Sequence, residues 1–158
     1  MGGKQDYFPL WDETSRAQTE LDSIDDELPL LLDPTKVTDV QLIAFSEDGG
    51  VGPAVDETNG REYKGAEEST LRYHLRHPTI VERRMERLRV VRQWIDDADR
   101  QLSRYVRTKE PFALSTAETR LRDIRDAVSP EAEYSAAVKH LLAGLIESVA
   151  AKKVLQSL

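Results

Sequence analysis

The strongest constraint on this chain is a seven-residue rhythm in its middle. Val81, Leu88, Ile95 and Leu102 fall seven apart, and Val91, Ala98 and Tyr105 take the partner positions, with Arg84 as the exception. Apolar residues on that spacing line one side of an α-helix. The rhythm predicts a helix from Pro78 to Val106, about 28 residues and about 42 Å long at 1.5 Å per residue. Its seam suits antiparallel packing against other helices. Pro78 fits the first position of that helix, and the residue before it, His77, is pushed out of the α region.

More helices are expected around it. Residues 66–75 (AEESTLRYHL) predict a short helix ended by His77-Pro78. Ser115 and Glu118 read as a capping box opening a helix that carries Leu121, Ile124 and Val128. Ser129-Pro130 then predicts the start of a last helix, with Tyr134, Val138, Leu141, Leu142, Leu145, Ile146 and Val149 in its stripe and Leu155 toward its end.

Residues 1–65 show no such rhythm. ELPLLLDP (27–34) is an apolar run stopped by Asp33-Pro34, VQLIAF (40–45) reads as a strand, SEDGG as a turn, and VGPAV (51–55) as an edge strand. Residues 40–55 therefore predict a small hairpin, and 56–65 a polar loop. The expected architecture is mainly α: an irregular N-terminal lobe with a short β-hairpin over 1–65, then a bundle of three to four helices over 66–158. A length of 158 residues, 39 % hydrophobic and 32 % charged, suits that plan. No internal repeat is visible.

The absence of cysteine rules out disulfides and thiolate metal sites and agrees with a cytoplasmic protein. No apolar run approaches the ~20 residues of a spanning helix, so no membrane partner is expected. The acidic, proline-interrupted start does not read as a signal peptide.

The net charge of −7 hides a division: residues 1–70 hold 5 Lys/Arg against 17 Asp/Glu, and residues 71–158 hold 17 against 12. The most basic stretch, 72–92, has seven arginines and no lysine, faced by Glu82 and Glu86. Guanidinium groups make bidentate contacts with phosphate or carboxylate. Arg72, Arg76, Arg83, Arg84 and Arg87 are the candidates for contact with DNA or RNA phosphates. The pairs Arg72/Arg76 and Arg83/Arg87 are each expected to share a helix face. The other reading of the same set is a solvated or internally paired surface.

Other chemistry is thinner. Gly2-Gly3-Lys4 lacks the spacing and the Ser/Thr of a phosphate loop. His74 and His77 have a spacing that one helix face could use for a metal, but no third ligand is evident; His140 is expected to flank the core. Asp22, Asp25, Asp26 and Glu27 lack the glycine and alternation of a calcium loop. No nucleophile, base or metal set can be named, so no catalytic residue, metal ligand or cofactor is assigned.

Several segments, in order, resemble the region that follows the catalytic motif in a family of bacterial HNH endonucleases, found in Septu-type and retron-associated phage-defence systems. They are KQDYFPLWDETSRA (4–17), PLLLDP (29–34), FSEDGG (45–50) and TLRYHLRHPTIVERR (70–84), with His77 where the family usually has asparagine. The dense aromatic start (Tyr7, Phe8, Trp11) is then expected to lead out of an HNH core. In that family the metal-holding histidines and asparagine lie upstream of the YFPL-like segment, and only Lys4 could belong to the end of the motif. The resemblance implies a C-terminal, non-catalytic portion, with a divalent metal only where an HNH core is present. It also implies an ATPase partner or the HNH portion itself as a binding partner. A regulatory or structural helical subunit without nucleic-acid contact, using the Val81–Tyr105 seam as an interface, is the alternative.

Overall fold

The computed structural model describes residues 8–19, 21–23 and 27–158. The protein is mainly α with one small hairpin. In chain order the elements are α1 (Val37–Val40), β1 (Ile43–Phe45), β2 (Val51–Pro53), α2 (Arg61–Arg72), α3 (Pro78–Thr108), α4 (Pro111–Ala127), α5 (Ser135–Gly144) and α6 (Val149–Leu155). β1 and β2 pair as a two-stranded sheet. The chain divides into two compact units: Met1–Ala44 with Val51–Arg76, and Phe45–Gly50 with His77–Leu158. The division falls at Arg76/His77, later than the 65/66 shift in composition. It places α2 with the first unit and the hairpin turn with the helices.

In the first unit the first described residues are partly packed, with Phe8 and Trp11 exposed. Pro9 and Leu10 are buried. Leu10 and Pro29 form an isolated antiparallel bridge, with Trp11 N donating to Leu28 O at 2.8 Å and Leu30 N to Pro9 O at 3.0 Å. The apolar run then meets α2. Leu32 N donates to the buried Ser69 Oγ at 2.8 Å, and Tyr73 Oη donates to Leu32 O at 2.9 Å. Gly65 lets the two approach: a Cβ there would lie 2.7 Å from Leu30 O, closer than a methyl group tolerates.

α2 departs from expectation at both ends. It begins at Arg61, inside the segment expected as a loop, and ends at Arg72, with His74 on left-handed backbone at φ 54°. Gly60, extended at φ −73°, starts it. The Leu32 backbone, whose N–H donates to Ser69 and whose carbonyl accepts from Tyr73, and not Pro78, sets its far end.

The second unit holds the main core. On α3, Leu88, Val91, Ile95 and Ala98 are buried, and they share one cluster with Leu121 and Ile124 of α4, Val138 and Leu142 of α5, and Ala151 and Val154 of α6. The middle of the seven-residue seam is thus covered from within the chain, while Val81, Leu102 and Tyr105 are only partly buried. α3 ends at Lys109, left-handed at φ 57°, and Glu110-Pro111 opens α4 at once. Ser115 therefore sits inside α4, and the expected capping box does not form. Proline at the first helical position, preceded by an extended residue, is the local reason for both α3 and α4.

Ser129-Pro130 does not open a helix. Turns run to Tyr134, itself left-handed at φ 60°, and α5 starts at Ser135. Packing of Tyr134 against the core cluster competes with helix formation there. The expected last helix is also broken, at Gly144. α6 restarts with a double cap: Ser148 Oγ accepts from Ala151 N at 3.0 Å and Asp99 Oδ1 of α3 accepts from Ala150 N at 2.8 Å. Ile146 and Val149, expected in the apolar stripe, are exposed.

The hairpin turn is built by small polar groups. Ser46 N donates to Gly50 O at 3.1 Å, and Asp48 Oδ1 accepts from Ser46 Oγ and from Gly50 N. Gly49 takes φ 81°, which non-glycine residues rarely adopt. Among the described residues no helix is long and apolar enough to cross a membrane.

Candidate nucleic-acid interface

The five candidate arginines do not form one set. Arg72 and Arg76 belong to the first unit; Arg83, Arg84 and Arg87 belong to the second. Because α2 stops at Arg72 and the chain turns at His74, Arg72 and Arg76 share no helix face. Both already meet carboxylates. Arg72 Nε lies 2.5 Å from Glu68 Oε1. Arg76 lies 3.7 Å from Glu67 and donates to Val51 O at 3.2 Å.

Arg84 is not on the surface. It keeps 2 % of its accessible area and occupies the one partner position of the α3 seam that breaks the apolar rule. Its guanidinium donates to Gly49 O at 2.7 Å, with its carbon 5.2 Å from the centre of the Phe45 ring and 5.9 Å from that of Tyr134. Charge burial is costly unless hydrogen bonds and ring faces compensate. Burial pushes the Arg84 pKa below its ordinary value. Arg84 is a tether for the hairpin turn and is withdrawn as a phosphate contact.

Arg83 and Arg87 remain, one turn apart on α3. Arg83 is exposed and has no ion pair among the described residues. Arg87 is half-buried, with its guanidinium carbon 5.5 Å from the centre of the Trp94 ring. Its Nε is buried without a hydrogen-bond partner among the described residues. Both line an open groove of about 680 Å³ together with Met85, Tyr134, Glu82 and Glu133. Glu86 also faces the groove but is engaged by Arg89 at 2.8 Å, whose hydrogen bond holds the Glu86 carboxyl below the usual range. Arg92 is similarly shared between Glu47 at 3.2 Å and Asp96 at 3.4 Å. The basic stretch is thus largely neutralised by its own neighbours, and the arginines open to an anion are Arg83 and, through one edge, Arg87.

The histidines do not assemble. His74 follows the end of α2, His77 is the extended residue before α3, and no helix carries both. His140 is exposed and sets its ring edge-on to Phe45, with centroids 6.4 Å apart. Among the described residues no group of three or more His, Asp or Glu gathers in a form that could hold a metal ion. Asp22 forms a local turn, accepting from Gln18 N and Thr19 N at 2.8 Å each, and Glu27 accepts from Ala17 N at 2.9 Å. Asp25, Asp26 and Gly2-Gly3-Lys4 lie outside the described residues.

A second basic group, Arg100, Arg104, Arg107 and Lys109, stands at the end of α3 outside residues 72–92, four cations in ten positions with no carboxylate between them. The chain matches no family model, no curated relative and no solved structure.

Proposed function

We propose that this chain is a non-catalytic, helical portion of an HNH-type nuclease of anti-phage defence, and that it holds a partner or positions nucleic acid. One observation supports the reading: within each unit, the segments that bear the resemblance touch one another. YFPL meets PLLLDP through the Leu10–Pro29 bridge. PLLLDP meets TLRYHLRHPTIVERR through Tyr73 and Leu32 at 2.9 Å. FSEDGG meets the other end of that long segment through Gly49 and Arg84 at 2.7 Å. Residues that resemble a family because they build a fold would interlock in this way; residues kept for chemistry would converge on a cleft instead.

In this reading Arg83 and Arg87 contact phosphate, with Arg72 and Arg76 in reach of it only by exchanging their carboxylates. The test is incubation of the purified 158-residue chain with DNA and a divalent metal. Intact DNA is the expected result. Strand scission that a chelator abolishes would overturn the reading.

The second reading is a helical subunit that works through protein contacts alone. Exposed apolar side chains away from the core, Val106 and Phe112 among them, favour it, although the α3 seam itself is occupied by the core.

A further inference from the structure

Asn59 is the only asparagine in the chain, and Gly60 follows it. The pair stands in a turn immediately before α2. The Asn59 side chain is exposed and makes no hydrogen bond among the described residues. Gly60 is extended at φ −73° and ψ 153°, and it brings no Cβ to shield its own nitrogen. Asparagine is among the chemically labile residues, most of all where the next nitrogen is unshielded.

We propose that Asn59 is a site of spontaneous covalent modification, converting to aspartate and isoaspartate through a cyclic imide formed with Gly60. The Gly60 nitrogen attacks Asn59 Cγ, and an N–Cγ bond forms. The Cγ–Nδ2 bond breaks, and ammonia leaves with the proton that the Gly60 amide gives up. Solvent water then opens the ring. Opening at Cγ gives aspartate. Opening at the Asn59 main-chain carbonyl routes the chain through the side chain and gives isoaspartate. Water is the one co-reactant.

Asp48-Gly49 has the same ring-closing atoms but is held against the reaction. Asp48 Oδ1 accepts from Ser46 Oγ and from Gly50 N, Gly49 N donates to Ser46 O at 3.0 Å, and Gly49 is buried. At Asn59 the restraint is a single bond: Gly60 N donates to Glu57 O at 2.9 Å, in a turn whose residues 57–59 are exposed. Opening of that turn frees the nitrogen, so conversion is slower than in a free peptide but not blocked. Each product changes the start of α2. Aspartate puts a negative charge beside a helix N-terminus that has no side-chain cap, where the dipole favours it. Isoaspartate adds a carbon to the main chain just ahead of Arg61, whose guanidinium donates to Pro29 O at 3.0 Å.

The test is mass spectrometry of the full chain, incubated in warm, mildly alkaline buffer beside a free peptide of sequence ETNGRE. The chain is expected to gain the mass of one amide-to-acid exchange, more slowly than the peptide, and to become a substrate for isoaspartate methylation. The gain should localise to the tryptic fragment that ends at Arg61. Asn59→Gln should lose it, because the larger ring closes far more slowly. Gly60→Ala should slow it several-fold. A Cβ at Gly60 would lie 3.2 Å from Glu57 O, which a small shift of the exposed Glu57 relieves, and the φ there is ordinary for alanine. Circular dichroism of both variants should match that of the native chain. A chain that gains no mass while the peptide converts fully, or a gain that persists in Asn59→Gln, would overturn the proposal.

Discussion

Arg84 donates a 2.7 Å hydrogen bond from its buried guanidinium to the carbonyl of Gly49, 35 residues earlier in the chain. The same glycine sits so close to α3 that a Cβ on it would lie 2.4 Å from Val81 O. The hairpin turn is therefore held from two sides: by a charged donor reaching up from the helix, and by a backbone that approaches because no side chain intervenes.

Removing the donor leaves Gly49 O buried without its bond and opens a void between Phe45 and Tyr134. Arg84→Ala is expected to cost about 2–4 kcal/mol of stability. Arg84→Met, which restores most of the volume but not the bond, should fall between it and the native protein. Chemical denaturation of the three proteins checks the order.

The glycine is expected to be as sensitive as its partner. Gly49→Ala must adopt φ 81° and displace a backbone carbonyl, at a cost of about 2 kcal/mol or more. Gly144→Ala is the control, because nothing lies within 4 Å of its added Cβ. It should be neutral or slightly stabilising at the end of α5. Thermal melts of the two variants separate a general intolerance of substitution from the specific close approach.

Two serines test where helices begin. Ser148 caps α6, so Ser148→Ala should lose about 1 kcal/mol. Ser115 lies inside α4 and caps nothing, so Ser115→Ala should be neutral or stabilising, since alanine is the better helix former. The capping-box pattern alone predicts the reverse ranking.

Asp97 provides a pH signature. Hydrogen bonds from Arg100 and then Arg120 hold its carboxyl below the ordinary value. The folded state thus favours the ionised form. The resulting stabilisation, about 0.5–1 kcal/mol for such partly exposed pairs, is complete above the unfolded pKa of about 3.9. It is lost as pH falls through the lower folded value. The stability gap between the native protein and Asp97→Asn should be present at neutral pH and narrow as pH falls below the unfolded value.

How much of this was legible in the sequence follows from how local each signal is. The α3 helix, its start at Pro78 and the hairpin over Ile43–Pro53 rest on periodicity, proline geometry and a glycine turn, all readable within a few residues. The breaks at His74, Tyr134 and Gly144 depend on distant partners: Tyr73 reaches back to Leu32, Tyr134 packs against the core, and Asp99 caps α6. The arginines show the same limit. Arg84 was visible as a breach in the seam, and a charge at a seam position is the mark of a buried tether as much as of a surface contact. What separates it from Arg83, its neighbour, is the arrival of Phe45 and Gly49 from elsewhere in the chain. The carboxylates that take up Arg92 and Arg76 come from Glu47 and Glu67, and only the fold brings the first of these near.

Of the candidate arginines, Arg83 and Arg87 are the two we propose as open to phosphate. DNA affinity measured across a salt series, for the native chain and for Arg83→Gln/Arg87→Gln, tests that proposal most directly. Two lost phosphate contacts should make the slope of log affinity against log salt shallower by about 1.8, with the fold intact. Undetectable DNA binding at low salt, or a slope that the double substitution leaves unchanged, would contradict it.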